Sequence, residues 1–62
     1  MPWSAERYPA AMRRLPPWVR WKAIAIANAL LAEGMDEGRA IRIGIAKAKE
    51  WAARQAESWT PT

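Results

Sequence analysis

Proline sets the first limit on this chain. Four of its five prolines, Pro2, Pro9, Pro16 and Pro17, fall in the first 17 residues, and none occurs over 18–58. Proline has no backbone N–H and its ring clashes with the preceding turn, so it is tolerated at a helix start and excluded from a helix interior. The distribution therefore predicts an all-α fold: an irregular, proline-rich N-terminal arm over 1–15 with one or two short helical turns, helix one over 16–33 and helix two over 36–57. In the arm, Ser4 is placed to cap a short turn that ends at Tyr8 before Pro9, and residues 10–14 suit a second turn. Trp3, Tyr8, Met12 and Leu15 give the arm more apolar area than a free tail carries, so it is expected to lie against the helices.

Helix one has its stop in Gly34, which can adopt the left-handed conformation, and helix two its start in Asp36, an N-cap residue followed by Glu37. Met35 and Ala40 are spaced for a hydrophobic staple. At about 100° per residue, Val19, Ala23, Ile26, Ala27 and Leu30 form a core stripe on helix one, flanked by Ile24 and Leu31. The matching stripe on helix two is Ala40, Ile41, Gly44, Ile45, Ala48, Trp51 and Ala52. Gly44 lowers helix propensity by about 1 kcal/mol, which suggests a close approach of helix one or the arm there. A short link between two amphipathic helices makes an antiparallel hairpin, one domain over 1–62.

A chain of 62 residues buries only about 60% of its unfolded surface, and two helices alone make a poor core. With no cysteine and no histidine, neither disulfides nor the usual zinc ligands supply the remainder. The arm or a second copy of the chain must cover what the hairpin leaves. The same composition removes the usual general bases and thiol nucleophiles, and the three glycines form no phosphate-binding loop. No catalytic, cofactor or metal site is expected, nor a small-molecule substrate. The longest apolar run, over 23–32, is broken by Asn28 and is too short to span a bilayer. The first residues lack a signal-peptide pattern, so a cytoplasmic location is expected, and the tail 59–62 is expected to fray.

The outer faces carry the functional information. Opposite the core of helix one stand Trp18, Trp21, Ala25, Ala29 and Ala32, bordered by Lys22 and Asn28, where surface helices ordinarily place Glu, Lys and Gln. Either the arm folds over this smooth apolar face and buries a tryptophan, or Trp18, Trp21, Ala25 and Ala29 form an interface with a protein partner or a second copy. The outer face of helix two holds Arg39, Arg42, Lys47, Lys49 and Arg54 against a single acid, Glu50, with Ile43 among them as another candidate interface residue. A net charge of +4 and five tryptophans keep a second reading open: a basic nucleic-acid-binding domain contacting phosphates through Arg39, Arg42 and Lys49 while tryptophans stack on bases. Against it, helix two begins Glu37-Gly38-Arg39, with an acid where a recognition helix reads bases.

The chain resembles a family of short bacterial proteins, the ChaB-like group. The elements that carry the resemblance are Met1-Pro2-Trp3, Arg7-Tyr8-Pro9, Leu15-Pro16, the run from Lys22 to Leu31, the turn from Gly34 to Gly38, Ala40-Ile41, and the run from Ala46 to Trp51. The resemblance implies a small helical domain, to which larger relatives add a second small domain; it brings no functional residue with it. Such proteins tend to have a charged residue at the position of Ala25 and polar or small ones at those of Trp21 and Arg42. The departures shift this chain toward an apolar face on helix one and a basic face on helix two.

Overall fold

The computed structural model describes residues 3–58. It is all-helical: a 3-10 turn at Ala10–Met12, helix α1 at Pro17–Ala32 and helix α2 at Glu37–Ser58, with the two helices packed along each other as a hairpin. The expectation for the tail 59–62 lies outside the described residues.

Each helix boundary has a local cause. Pro17 occupies the first position of α1, and the carbonyl of Pro16 accepts from the N–H groups of Val19 and Arg20 at 3.0 and 2.8 Å. At the other end Gly34 takes φ +98°. Its N–H donates to the Leu31 carbonyl at 2.9 Å, and the Met35 N–H donates to that of Leu30 at 3.1 Å. This pair of bonds is the Schellman closure, which satisfies carbonyls left over at a helix end. Two residues later Asp36 Oδ2 accepts the Arg39 N–H at 3.2 Å and caps α2, with Glu37 in the favourable first turn. The reversal is thus written in three consecutive residues.

The hairpin closes tightest at Gly44. A methyl group built there would stand 3.0 Å from the Ala23 carbonyl oxygen and 3.1 Å from Ala27 Cβ, so α1 and α2 touch backbone to backbone. This is the close approach that a glycine in mid-stripe suggests. Val19, Ala23, Ala27, Ala40 and Ala48 are buried around it, with Ile41, Ile45 and Ala52 half-buried at the margin.

The third layer of the core comes from the arm. Met12, at the end of the 3-10 turn, is fully buried, Leu15 nearly so, and Trp3 and Tyr8 pack on the cluster's edge. Two polar side chains hold the arm in place. Asn28 is buried and pairs with the backbone of Trp3 in both directions: the Trp3 N–H donates to its Oδ1 at 3.3 Å, and its Nδ2 donates to the Trp3 carbonyl at 3.0 Å. Arg20 donates to the carbonyls of Met12, Arg13 and Leu15 at 3.3, 3.2 and 3.0 Å, and its guanidinium lies 4.5 Å from the centre of the Tyr8 ring. A planar fork with several donors is what three divergent carbonyls require.

The arm also turns the core stripe of α1 away from its expected position. Ile24 and Asn28, on the arm side, are buried, whereas Ile26, Leu30 and Leu31 are only half-buried. Asn28, expected at the border of the outer face, is a core residue.

Candidate functional site: the outward face of helix α1

The contacts of Ala23 and Ala27 with Gly44 define the side of α1 that faces α2. Ala25 is two residues from both, roughly 160° from that direction at about 100° per residue. Trp21, Ala25, Ala29 and Ala32 therefore share the side pointing away from α2, and all four are exposed. Trp21 keeps 64% of its surface accessible and Trp18 keeps 52%. The arm thus does not cover this face. It is held at Asn28 and Arg20, along one flank, and leaves both tryptophans uncovered, so of the two alternatives for this face the one in which the arm folds over it and buries a tryptophan does not hold.

Trp18 lies on the same side, seven residues before Ala25, and its ring leans toward the other flank. Its ring is tilted 57° against that of Trp51 from α2, with centroids 5.5 Å apart, and Lys22 Nζ lies 5.2 Å from the centre of the Trp51 ring. Tilted aromatic pairs and cations over indole faces are each worth about 0.5–1.5 kcal/mol. Here they tie α1 to the distal half of α2 and fix one wall of the face.

Between the arm and this face runs a cleft of about 370 Å³, lined by Ser4, Ala5, Pro17, Arg20, Trp21, Ile24, Ala25 and Asn28. The Ser4 wall is stiffened by its own turn: Ser4 Oγ accepts the Arg7 N–H and donates to Glu6 Oε2, at 3.2 and 3.3 Å, and the backbones of Ser4 and Arg7 exchange bonds of 2.7 and 3.2 Å. A small-molecule site needs a few polar groups converging on the ligand. In this cleft the polar ends of Arg20 and Asn28 are already engaged with arm backbone. What remains is apolar wall, suited to side chains from another helix.

The other candidate residues do not join this face. Arg39, Arg42 and Lys49 are exposed on the side of α2 turned away from α1, since Ala40, Gly44 and Ala48 form its inner line. The structure does not bring them together with Trp18 and Trp21: the basic set and the indoles look outward in opposite directions. Ile43 is half-buried on α2 and is likewise separate. Arg54 reaches back to Glu50 at 3.2 Å, an ion pair largely in solvent. Among the described residues no three carboxylates gather as metal ligands, and no helix is long and apolar enough to cross a membrane.

Comparison with known proteins adds one relative. Over 52 residues the chain is 60% identical to a Bacillus subtilis (strain 168) protein that bears the name Uncharacterized protein YdaT. The match takes in 84% of this chain but 35% of that protein, so the chain spans about a third of the relative's length. No model of a protein family matches the chain, and no solved structure does.

Proposed function

We propose that this chain is a non-enzymatic helical interaction module whose docking surface is the outward face of α1. The observation that carries this reading is the exposure of Trp18 and Trp21 on a helix side otherwise made of alanines. Tryptophan contributes more than most side chains to protein interfaces when it is buried there, and an uncovered pair is unfavourable to leave in water. The rigid backing supports the same reading: the Schellman turn, the Gly44 contact and the two arm anchors fix this helix before any partner arrives, so little ordering entropy is spent on docking. The module belongs, in this proposal, to the bacterial cytoplasm and to the ChaB-like group that its motifs resemble.

The test is a photo-crosslinking amino acid placed at Ala25, with the same group at Ala53 on the exposed outer side of α2 as control. Expressed in bacteria and irradiated, the Ala25 probe is expected to yield a discrete protein adduct that Trp21→Glu abolishes, and the Ala53 probe none. An Ala25 probe that stays uncrosslinked, or that gives the same adducts as Ala53, removes the docking surface. Adducts with nucleic acid at Ala53 would point instead to the basic face of α2.

A further inference from the structure

The residues on the outward face of α1 are evenly spaced about its middle. Trp18, Trp21, Ala25, Ala29 and Ala32 follow one another at intervals of three, four, four and three residues, a spacing symmetric about Ala25. The sizes along it are not symmetric: both large residues precede Ala25 and both small ones follow it. A two-fold axis through Ala25 perpendicular to the helix would set Trp21 against Ala29 of a second copy and Trp18 against its Ala32. Each indole then meets a methyl-lined position, and the alanines let the helices approach closely. We infer that the partner is a second copy of this chain, docked antiparallel along α1 about a two-fold axis at Ala25. This inference rests on the proposed docking surface and specifies its occupant.

Charge supports the same arrangement. Arg13 and Arg14 lie exposed just before α1, and Glu33 and Glu37 lie exposed just beyond it; none of the four enters an ion pair among the described residues. In an antiparallel pair the arginines of each copy face the acidic link of the other, at both ends of the contact. In a parallel pair like charges would align. Such complementarity selects orientation more than it adds affinity. An isologous contact of this kind closes on itself as a dimer and does not propagate.

The area sets the strength. A buried tryptophan takes up about 150–250 Å². The exposures of 52% and 64% therefore leave about 170–290 Å² of indole per chain, which is less than the roughly 800 Å² per partner of a standard stable interface. The pair forms reversibly and its population follows concentration.

The experiment combines mass with position. Light scattering on the whole chain is expected to show a mass rising from 7.0 kDa toward twice that value with concentration, and Ala25→Glu to hold it at the single-chain value with its helical circular dichroism unchanged. The chain has no cysteine, so single cysteines report geometry. Ala25→Cys lies on the axis and should form a disulfide-linked dimer under mild oxidation. Ala32→Cys should not, because seven residues of helix on each side separate its two copies by about 21 Å. A wild-type mass fixed at one chain, or Ala32→Cys crosslinking as readily as Ala25→Cys, overturns the inference. If the mass stays at one chain while the Ala25 photo-probe still captures another protein, the second copy falls and the docking surface stands; if neither occurs, both fall.

Discussion

Replacing Gly44 by alanine adds one methyl group at the seam where the two helices meet. The new carbon would lie 3.0 Å from the Ala23 carbonyl oxygen, 3.1 Å from Ala27 Cβ and 3.2 Å from the Ala27 nitrogen. Optimal separations between such atoms are about 3.5–4.0 Å, and all three neighbours are fixed to the α1 backbone, so the helices must part by roughly half an ångström. Alanine gains about 1 kcal/mol of helix propensity over glycine, and overpacking of a tight core loses about 1–3 kcal/mol. The net expectation is a loss of about 1 kcal/mol, which in a domain this small lowers Tm by about 4–8 °C. Gly38→Ala is the internal control. Its added methyl meets only Asp36 Oδ2, at an ordinary 3.4 Å, so propensity acts unopposed and Tm is expected to rise. Thermal melts followed by circular dichroism at low concentration make the comparison. If Gly44→Ala melts above the wild type, as Gly38→Ala is expected to, α1 and α2 are not in backbone contact and the packing described for the hairpin is wrong.

Asn28→Ala removes both bonds to Trp3 and leaves its N–H and carbonyl without a protein partner; a loss of about 1–3 kcal/mol in urea unfolding is expected, with faster proteolysis before residue 10. Arg20→Lys keeps the charge but cannot serve three carbonyls with one planar group, so a loss of similar size is expected, largely unchanged by added salt. Asp36→Ala deletes the cap of α2 and is expected to lower stability by about 1 kcal/mol in the same assay. Glu50→Gln breaks a pair that is mostly in solvent, so a change below about 0.5 kcal/mol is expected; a larger one would show that the pair is better ordered than its exposure implies.

The hairpin is legible in the chain because its signals are local. Gly34 and Asp36 act within a turn of their own positions, Pro17 starts a helix wherever it stands, and Gly44 in the middle of an apolar stripe already points to a close neighbour. The placement of the arm is not local, and there the sequence misleads. Its apolar residues show that it must lie on the helices, but which flank it takes depends on Asn28 and Arg20 meeting backbone groups 25 and 5–8 residues away. Asn28 left one trace, a lone amide in the apolar run 23–32; Arg20 left none, since an arginine near a helix start looks like any surface charge. That choice of flank decides the site. Docked on the side of Ile24 and Asn28, the arm buries those two and leaves Trp18 and Trp21 uncovered. Periodicity assigns the members of the outer face and carries no information about what covers them.

Two copies of the chain are expected, on the inference above, to meet on the side of α1 carrying Trp21, Ala25 and Ala29. The most direct measurement is a series of amide nuclear magnetic resonance spectra of the isotope-labelled chain from micromolar to millimolar concentration. Shifts are expected to grow with concentration and to map to the α1 residues at and beside Trp18, Trp21, Ala25, Ala29 and Ala32, with the outer face of α2 at Arg42 and Lys49 unchanged. Spectra that do not vary with concentration would overturn the pairing of two copies through α1, and shifts centred on Arg42 and Lys49 would put the contact on α2 instead.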